Sequence, residues 1–182
     1  MSPGTDTGMN SAPVKKAVLV LAVPHQLQGM GFIGYVNDPS YRTFVEDLVS
    51  EGRDFVFEEA AGQKPSHAEE IADAVLGAGH YLDVDPSDRA ACGISAKTGG
   101  REPVDEFARV APGTIGDTYE FSIVSEQEKR EAYWARMITS QDFKNGLAIC
   151  GLCHGLSLAF RLESAGIDVS KAFSYIPWHK LR

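Results

Sequence analysis

The sequence has little of several features that mark particular classes of protein. It has only three cysteines in 182 residues, too few for a disulfide framework, so we expect free thiols. Its longest apolar run, residues 17–24, is far shorter than the roughly 20 residues that cross a membrane. That run follows a stretch rich in Pro, Gly, Ser and Thr rather than the basic cluster of a signal peptide. These features predict a cytoplasmic protein.

Positive charge is also scarce, since 17 Lys and Arg against 25 Asp and Glu give a net charge of −8. An acidic chain repels phosphate groups, so neither nucleic acid nor an anionic membrane surface is an expected partner. Hydrophobic residues make up 43% of the chain and charged residues 23%, which excludes wholesale disorder. At roughly 150 residues per domain, the length predicts one domain.

The distribution of apolar residues predicts how this domain is organised. Residues 1–15 lack apolar periodicity and are predicted to be a disordered lead-in, followed by a single domain over residues 16–182. A stretch rich in glycine and proline, at about residues 93–118, is predicted to be a flexible loop. Elsewhere short apolar runs alternate with amphipathic segments. This alternation predicts an α/β fold with a mostly parallel central sheet and flanking helices.

Individual elements follow from the same patterns. Predicted strands lie at residues 17–23, 54–57, 80–85, 147–150 and 173–176, and predicted helices begin near Ser40, Ser66, Ser125 and His154. Ser66 and Ser125 are each followed three residues later by a glutamate, the spacing of a capping box at a helix N-terminus.

Polar residues with catalytic chemistry follow the predicted strands. The residues in question are His25, Glu58, Glu59, Asp83, Asp85, Cys153 and His154. Because ligands of parallel sheets bind beyond the carboxyl ends of the strands, we expect these side chains to converge. Glu58 and Glu59 are adjacent and point to opposite faces if the strand continues, so at most one of them needs to face the site.

Two chemistries are compatible with such a set. Two imidazoles and a carboxylate suit zinc, manganese or cobalt, which would activate a bound water near neutral pH. Without a metal, a histidine oriented by a glutamate could act as a base on water or on a substrate hydroxyl.

Three short motifs suggest other functions. Gly29–Gly34 matches the G-x-G-x-x-G of dinucleotide sites, but it lies five residues beyond the strand and no helix begins within it. Cys150–His154 matches the C-x-x-C-H of haem attachment, which would require an exported protein. The same pair of cysteines could serve thiol–disulfide exchange, with Cys153 at a helix N-terminus.

The order of the strand-end residues resembles that of the TraB/Tiki superfamily, with erythromycin esterase-like and ChaN-like proteins as distant relatives. Gly151–His154 is a full G-x-x-H motif, and Ala22–His25 is a degenerate one with alanine in the glycine position. Glu58–Glu59 lies between them, and Arg130 lies in the helix before the second motif. The resemblance covers about residues 17–170.

The resemblance implies a metal-assisted hydrolase acting on a small molecule or peptide. It maps His25, Glu58 and His154 onto the metal-binding or catalytic positions, with Arg130 as a charge-stabilising or structural partner. Glu59 remains a further catalytic candidate beside Glu58. Two alternatives remain open: a small-molecule-binding sensor or accessory domain with the same pocket, and a C-x-x-C redox protein.

Overall fold

The described residues form a five-stranded sheet with helices on both faces. The structure is a computed structural model that describes residues 15–32, 34–94 and 118–176, with side chains from residue 127 onward in the last range. The elements are β1 (Ala17–Val23), a 3-10 turn (His25–Leu27), α1 (Pro39–Ser50), β2 (Phe55–Glu58), α2 (His67–Val75), β3 (Tyr81–Asp83), α3 (Thr118–Ser140), β4 (Asn145–Gly151), α4 (Gly155–Ser164) and β5 (Asp168–Ser174).

All strand pairs in the sheet are parallel, and the strand order is β3-β2-β4-β1-β5. The predicted α/β fold with a mostly parallel sheet is therefore confirmed. β1 and β4 are the central strands of the sheet and read as continuous apolar runs, as expected when both faces of a strand are covered.

The helices divide into two pairs, and each pair covers one face of the sheet. From α1 and α2, the buried side chains on the first face are Tyr41, Val45, Leu48, Val49, Ala68, Ile71 and Ala72. From α3 and α4, those on the opposite face are Trp134, Ala135, Ile138, Leu158, Ala159 and Leu162. Burial of these two apolar layers supplies the main driving force for folding.

From this arrangement a ligand-binding crevice is expected between the carboxyl ends of β1 and β4. After β1 the chain turns to the face of α1 and proceeds to β2, whereas after β4 it turns to the face of α4 and proceeds to β5. The neighbouring strands thus lead to opposite faces, which is the topological switch point where ligands of open parallel sheets bind.

Two boundaries predicted from the sequence are wrong. α3 begins at Thr118, so Ser125 lies inside the helix and is not its N-cap. β5 spans Asp168–Ser174 rather than residues 173–176. β5 is an edge strand whose residues are half-buried or exposed, so it lacks the apolar run by which the central strands were predicted.

Other predictions about organisation lie outside the described residues. These are the disordered lead-in, except for its last residue, and most of the 93–118 loop. Within the described ranges, no helix is both long and apolar enough to cross a membrane.

Ser66 is the N-cap of α2, as the capping-box spacing predicts. Its Oγ accepts hydrogen bonds from the backbone N–H groups of Ala68 and Glu69 and donates one to Glu58. We expect Ser66→Ala to lower the free energy of unfolding by about 2 kcal/mol, because both the cap and a buried hydrogen bond are lost. Urea denaturation measures this, with Ser40→Ala, a change of an exposed serine, as control. Equal stability of the two variants would contradict the assignment.

Candidate active site

The parallel register brings His25 and Glu59 to the same level of the sheet. Val23 pairs with Gly151 at the end of the β1–β4 ladder, so His25 lies just beyond it. Glu58 pairs with Ile149 in the β2–β4 ladder, and the N–H of Glu59 then donates to the carbonyl of Ile149. The two side chains therefore approach the end of β4 from its two neighbouring strands.

Gly151 makes room for this approach. A Cβ added there would lie 2.6 Å from Nε2 of His25 and 3.3 Å from Oε2 of Glu59. Its backbone N–H donates to Oε2 of Glu59 at 2.8 Å. Gly155 makes room in the same way for Ala22, the alanine of the degenerate first motif. A Cβ added to Gly155 would lie 2.8 Å from the Cβ of Ala22. Both glycines are thus required by close packing.

The carboxylate of Glu59 is the centre of the site. One oxygen, Oε1, lies 2.5 Å from Nη2 of Arg130, 3.7 Å from Nε2 of His25 and 3.8 Å from Nε2 of His154. These four residues come from β1, β2, α3 and β4 or the turns that follow them. The structure therefore brings together four of the five residues predicted from the sequence.

Arg130 is buried between two carboxylates. Its Nη2 donates to Glu59 and, at 3.0 Å, to Oδ2 of Asp85. Asp85 also accepts from Arg89 at 2.5 Å and from the indole N–H of Trp134 at 3.2 Å. Only 6% of its side chain is exposed, so Arg130 is held within the site by its two carboxylate partners.

His154 is buried and held by α3. Its Nδ1 lies 2.8 Å from Oε1 of Glu131, whose other oxygen accepts from Ser157 and, at 3.3 Å, from Arg161. The ring of Trp134 packs against the imidazole edge to face, with centroids 4.9 Å apart. These contacts fix the plane of the ring.

The charges in this cluster determine its protonation. Burial favours the neutral form of Glu59, but the charges of His154, His25 and Arg130 outweigh burial and lower its pKa to about 2. Burial likewise disfavours the imidazolium form of His154, yet the charge of Glu59 and hydrogen bonds with Cys153 and Glu131 raise its pKa to about 10. The cluster is thus a carboxylate flanked by fixed positive charges.

Glu58, predicted as a ligand with the two histidines, lies on the other face of β2. Its carboxyl group accepts from Gln28 at 2.9 Å, from Tyr81 at 2.8 Å and from Ser66. Burial outweighs these hydrogen bonds and raises its pKa to about 7. The predicted set changes accordingly: Glu59 is the carboxylate between the histidines, because adjacent strand residues face opposite sides.

His25 is the most accessible member of the cluster. About a third of its side chain is exposed (32%), against 3–6% for Glu59, Arg130 and His154. Its ring stacks on Phe32 at 6.2 Å between centroids, and its Nδ1 lies 2.5 Å from Oε1 of Gln28. Among the four residues, His25 is therefore the one that solvent contacts most.

The predicted divalent metal has no preformed site among the described residues. In that part of the chain, no group of three or more His, Cys, Asp or Glu side chains is arranged to hold a metal ion. The Glu59 oxygen nearest the two histidines already accepts a hydrogen bond from the guanidinium of Arg130. The metal site therefore stays a prediction from the sequence.

In the glycine and cysteine motifs that suggested other functions, the two glycines and Cys150 are packed against other parts of the chain. Added Cβ atoms on Gly29 and Gly31 would lie 2.3–2.9 Å from backbone atoms of residues 64–66, so these glycines allow two loops to touch, and the next helix begins only at Pro39. Cys150 is buried, and burial raises the pKa of its thiol well above the usual range. Cys153 is exposed. The two thiols thus differ sharply in access to a redox partner.

A groove of about 300 Å³ opens between the N-termini of α1 and α2, with Tyr35, Arg42 and His67 among its lining residues. It does not include the Glu59 cluster. Arg42 is paired with Glu70 at 2.7 Å, and His67 lies 3.2 Å from the hydroxyl of Tyr35. The polar groups of this groove thus bond mainly to one another.

Sequence reasoning missed two residues that hold the histidines, Gln28 and Glu131. Gln28 had a local signal, because it lies three residues after His25, which places the two side chains on the same side of a 3-10 turn. Glu131 had none, because only the tertiary structure brings it to His154.

We expect the stability of the protein to depend on the ionisation of Glu58. Its pKa in the folded chain, about 7, exceeds its ordinary value of 4.5, so the fold favours the protonated carboxyl group. The contribution of Glu58 to the free energy of unfolding is therefore complete below pH 4.5 and is lost as the pH rises through 7. Between pH 5 and 8 the wild type should lose about 2 kcal/mol relative to Glu58→Gln, which cannot ionise. Urea denaturation at both pH values measures this, with exposed Glu51→Gln as control. If the difference in stability between wild type and Glu58→Gln is the same at pH 5 and pH 8, the expected pH dependence is refuted.

We expect His154 to remain an imidazolium at pH 8, and Glu59→Gln to lower its pKa because the main favourable charge is removed. Histidine ¹⁵N shifts followed against pH measure both effects. Exposed His80, whose Nδ1 lies 2.8 Å from the carbonyl of Asp54, is the internal reference. Glu59→Gln should also destabilise the fold by roughly 3 kcal/mol, since buried charges lose their partner. An unchanged His154 titration in this variant would contradict the described network.

Comparisons of the chain with protein-family models, with curated proteins and with solved structures find no match. The TraB/Tiki resemblance therefore stays a prediction from short motifs, and the geometry of the site carries the functional argument.

Proposed function

We propose that the protein is a hydrolase of small molecules in which His25 acts as the general base. The observation that carries the proposal is the convergence of two histidines from separate strands on one buried carboxylate, at the switch point of the sheet. An imidazole that is accessible on one side and backed by fixed charge is the arrangement used for proton transfer near neutral pH.

His25 would remove a proton from a water molecule as that water attacks the carbonyl carbon of an ester or related group. When the tetrahedral intermediate collapses and the bond to the leaving group breaks, His25 would return this proton to the departing oxygen or nitrogen. Stacking on Phe32 and the contact with Gln28 support this role, because a base must be held in one orientation to act efficiently. Glu59, 3.7 Å from Nε2, stabilises the imidazolium that forms when His25 takes up the proton.

The start of α4 would stabilise the negative charge that develops on the substrate. The N-cap residue of this helix, His154, makes no side-chain cap hydrogen bond, and the first N–H groups of a helix have no partner within the helix itself. The helix dipole adds positive potential at the same point. His154 and Arg130 take no direct part, because both are buried; they keep Glu59 ionised.

No step of this mechanism uses a metal ion. Assays with EDTA and with added Mn²⁺, Co²⁺ or Zn²⁺ separate it from the metal-assisted reaction that the sequence resemblance implies. Activity that survives EDTA supports the proposal, and activity that requires one of these metals overturns the metal-free form of it.

Turnover of p-nitrophenyl acetate and of a panel of small esters, lactones and amides tests the proposal. We expect His25→Gln to lower kcat/KM at least 100-fold, the usual contribution of a general base. His80→Gln, a change of an exposed histidine that precedes β3, should retain the wild-type value within about twofold. Equal rates for wild type and His25→Gln across the panel would rule out the proposed role, and saturable binding without turnover would favour the sensor alternative.

A further inference from the structure

We infer that Gln28 is a positioning residue that keeps the proton of neutral His25 on Nδ1, and that Glu58 fixes the orientation of Gln28. The inference rests on the proposed role of His25 as a base, since it identifies which ring nitrogen is available to act.

The side-chain amide of Gln28 connects the two faces of β2. It is completely buried, with Oε1 2.5 Å from Nδ1 of His25 and Nε2 2.9 Å from Oε1 of Glu58. Nε2 also donates to the backbone carbonyl of Glu59 at 3.4 Å. An amide presents an acceptor at one end and donors at the other, so its orientation decides which hydrogen bond each neighbour makes.

Glu58 determines that orientation. Its other oxygen already accepts from Ser66 and Tyr81, so Oε1 is the atom that meets the amide of Gln28. If the amide of Gln28 were reversed, its oxygen would face the Glu58 carboxyl group and the carbonyl of Glu59. With Glu58 ionised, as it is above its pKa of about 7, three acceptors would then meet in a fully buried site, which is unfavourable. The amide nitrogen therefore faces Glu58, and the amide oxygen faces His25.

The orientation of Gln28 in turn sets the tautomer of His25. An oxygen 2.5 Å from Nδ1 requires Nδ1 to be the donor. The proton that His25 gains and loses is then the one on Nε2, the nitrogen beside Gly151 and Glu59 in the crevice. Glu58 thus acts on the reacting nitrogen without touching it.

The backbone holds Gln28 in place for this role. Its N–H donates to the carbonyl of His25 at 3.0 Å, closing the 3-10 turn, and its carbonyl accepts from the N–H of His67 at 2.7 Å. The first bond keeps the two side chains together, and the second ties the turn to the start of α2. The backbone of Gln28 is therefore held through both its N–H and its carbonyl group before any substrate binds.

Long-range ¹H–¹⁵N correlation of the histidine rings in the substrate-free protein tests the inference. At the alkaline end of the titration, wild-type His25 should show a protonated Nδ1 and an unprotonated Nε2. Gln28→Met, of similar size, should shift the proton to Nε2, where Glu59 is the nearby acceptor. Gln63→Met, a half-buried glutamine between β2 and α2, should leave the spectrum of His25 unchanged. An unprotonated Nδ1 in wild-type His25 would overturn the inference even if Gln28→Met fails to fold.

Activity provides a second readout. With a substrate from the ester panel, Gln28→Met should lower kcat at least tenfold and leave KM within about twofold, as for residues that orient a reacting group. A normal kcat with the altered tautomer would exclude positioning. If the tautomer behaves as expected but no substrate is hydrolysed, the proposed function fails while the assignment of Gln28 stands.

Discussion

The rest of the site depends on the buried carboxylate of Glu59. A carboxylate removed from water is stable only when charges and hydrogen bonds replace its hydration. Arg130 and the backbone of Gly151 supply hydrogen bonds to its two oxygens, and His154 adds positive charge. This requirement joins the ends of β2 and β4 to α3, so the same contacts that stabilise the fold also define the site.

The positive groups around Glu59 need counter-charges of their own. Asp85 holds Arg130, and Glu131 holds His154. Positive and negative groups therefore alternate outward from the centre. Such a network is cooperative, since removal of one member leaves its neighbours buried without partners. Of the residues within 4 Å of the Glu59 carboxylate, His25 is by far the most exposed, which separates it from the buried residues that maintain the charge.

β2 carries two different electrostatic environments on its two faces. Glu59 lies among cations and stays ionised, whereas Glu58 lies among neutral donors and has a pKa of about 7. The amide of Gln28 connects the two, because it contacts Glu58 at one end and His25 at the other. Two adjacent residues of the same type thus have different properties, which the environment of each decides.

Strands β1 to β4, the parallel arrangement of the sheet and the edge at which polar residues gather were predictable from the sequence. Continuous apolar runs mark β1 and β4, and residues that follow parallel strands share one edge whatever the order of the strands. Such patterns are local, so the chain by itself determined them. The beginning of α3 and the position of edge strand β5 were not predictable, because neither carries a distinct apolar pattern in its sequence.

Only the tertiary structure decided which polar groups meet. The sequence places Glu58 and Glu59 on opposite faces, but the register of β2 with β4 selects Glu59 as the partner of the histidines. Docking of α3 likewise brings Glu131 to His154. At the end of β4, the absence of a side chain on Gly151 leaves the space that His25 occupies. Register and helix docking depend on contacts between distant parts of the chain, so no local pattern specifies them.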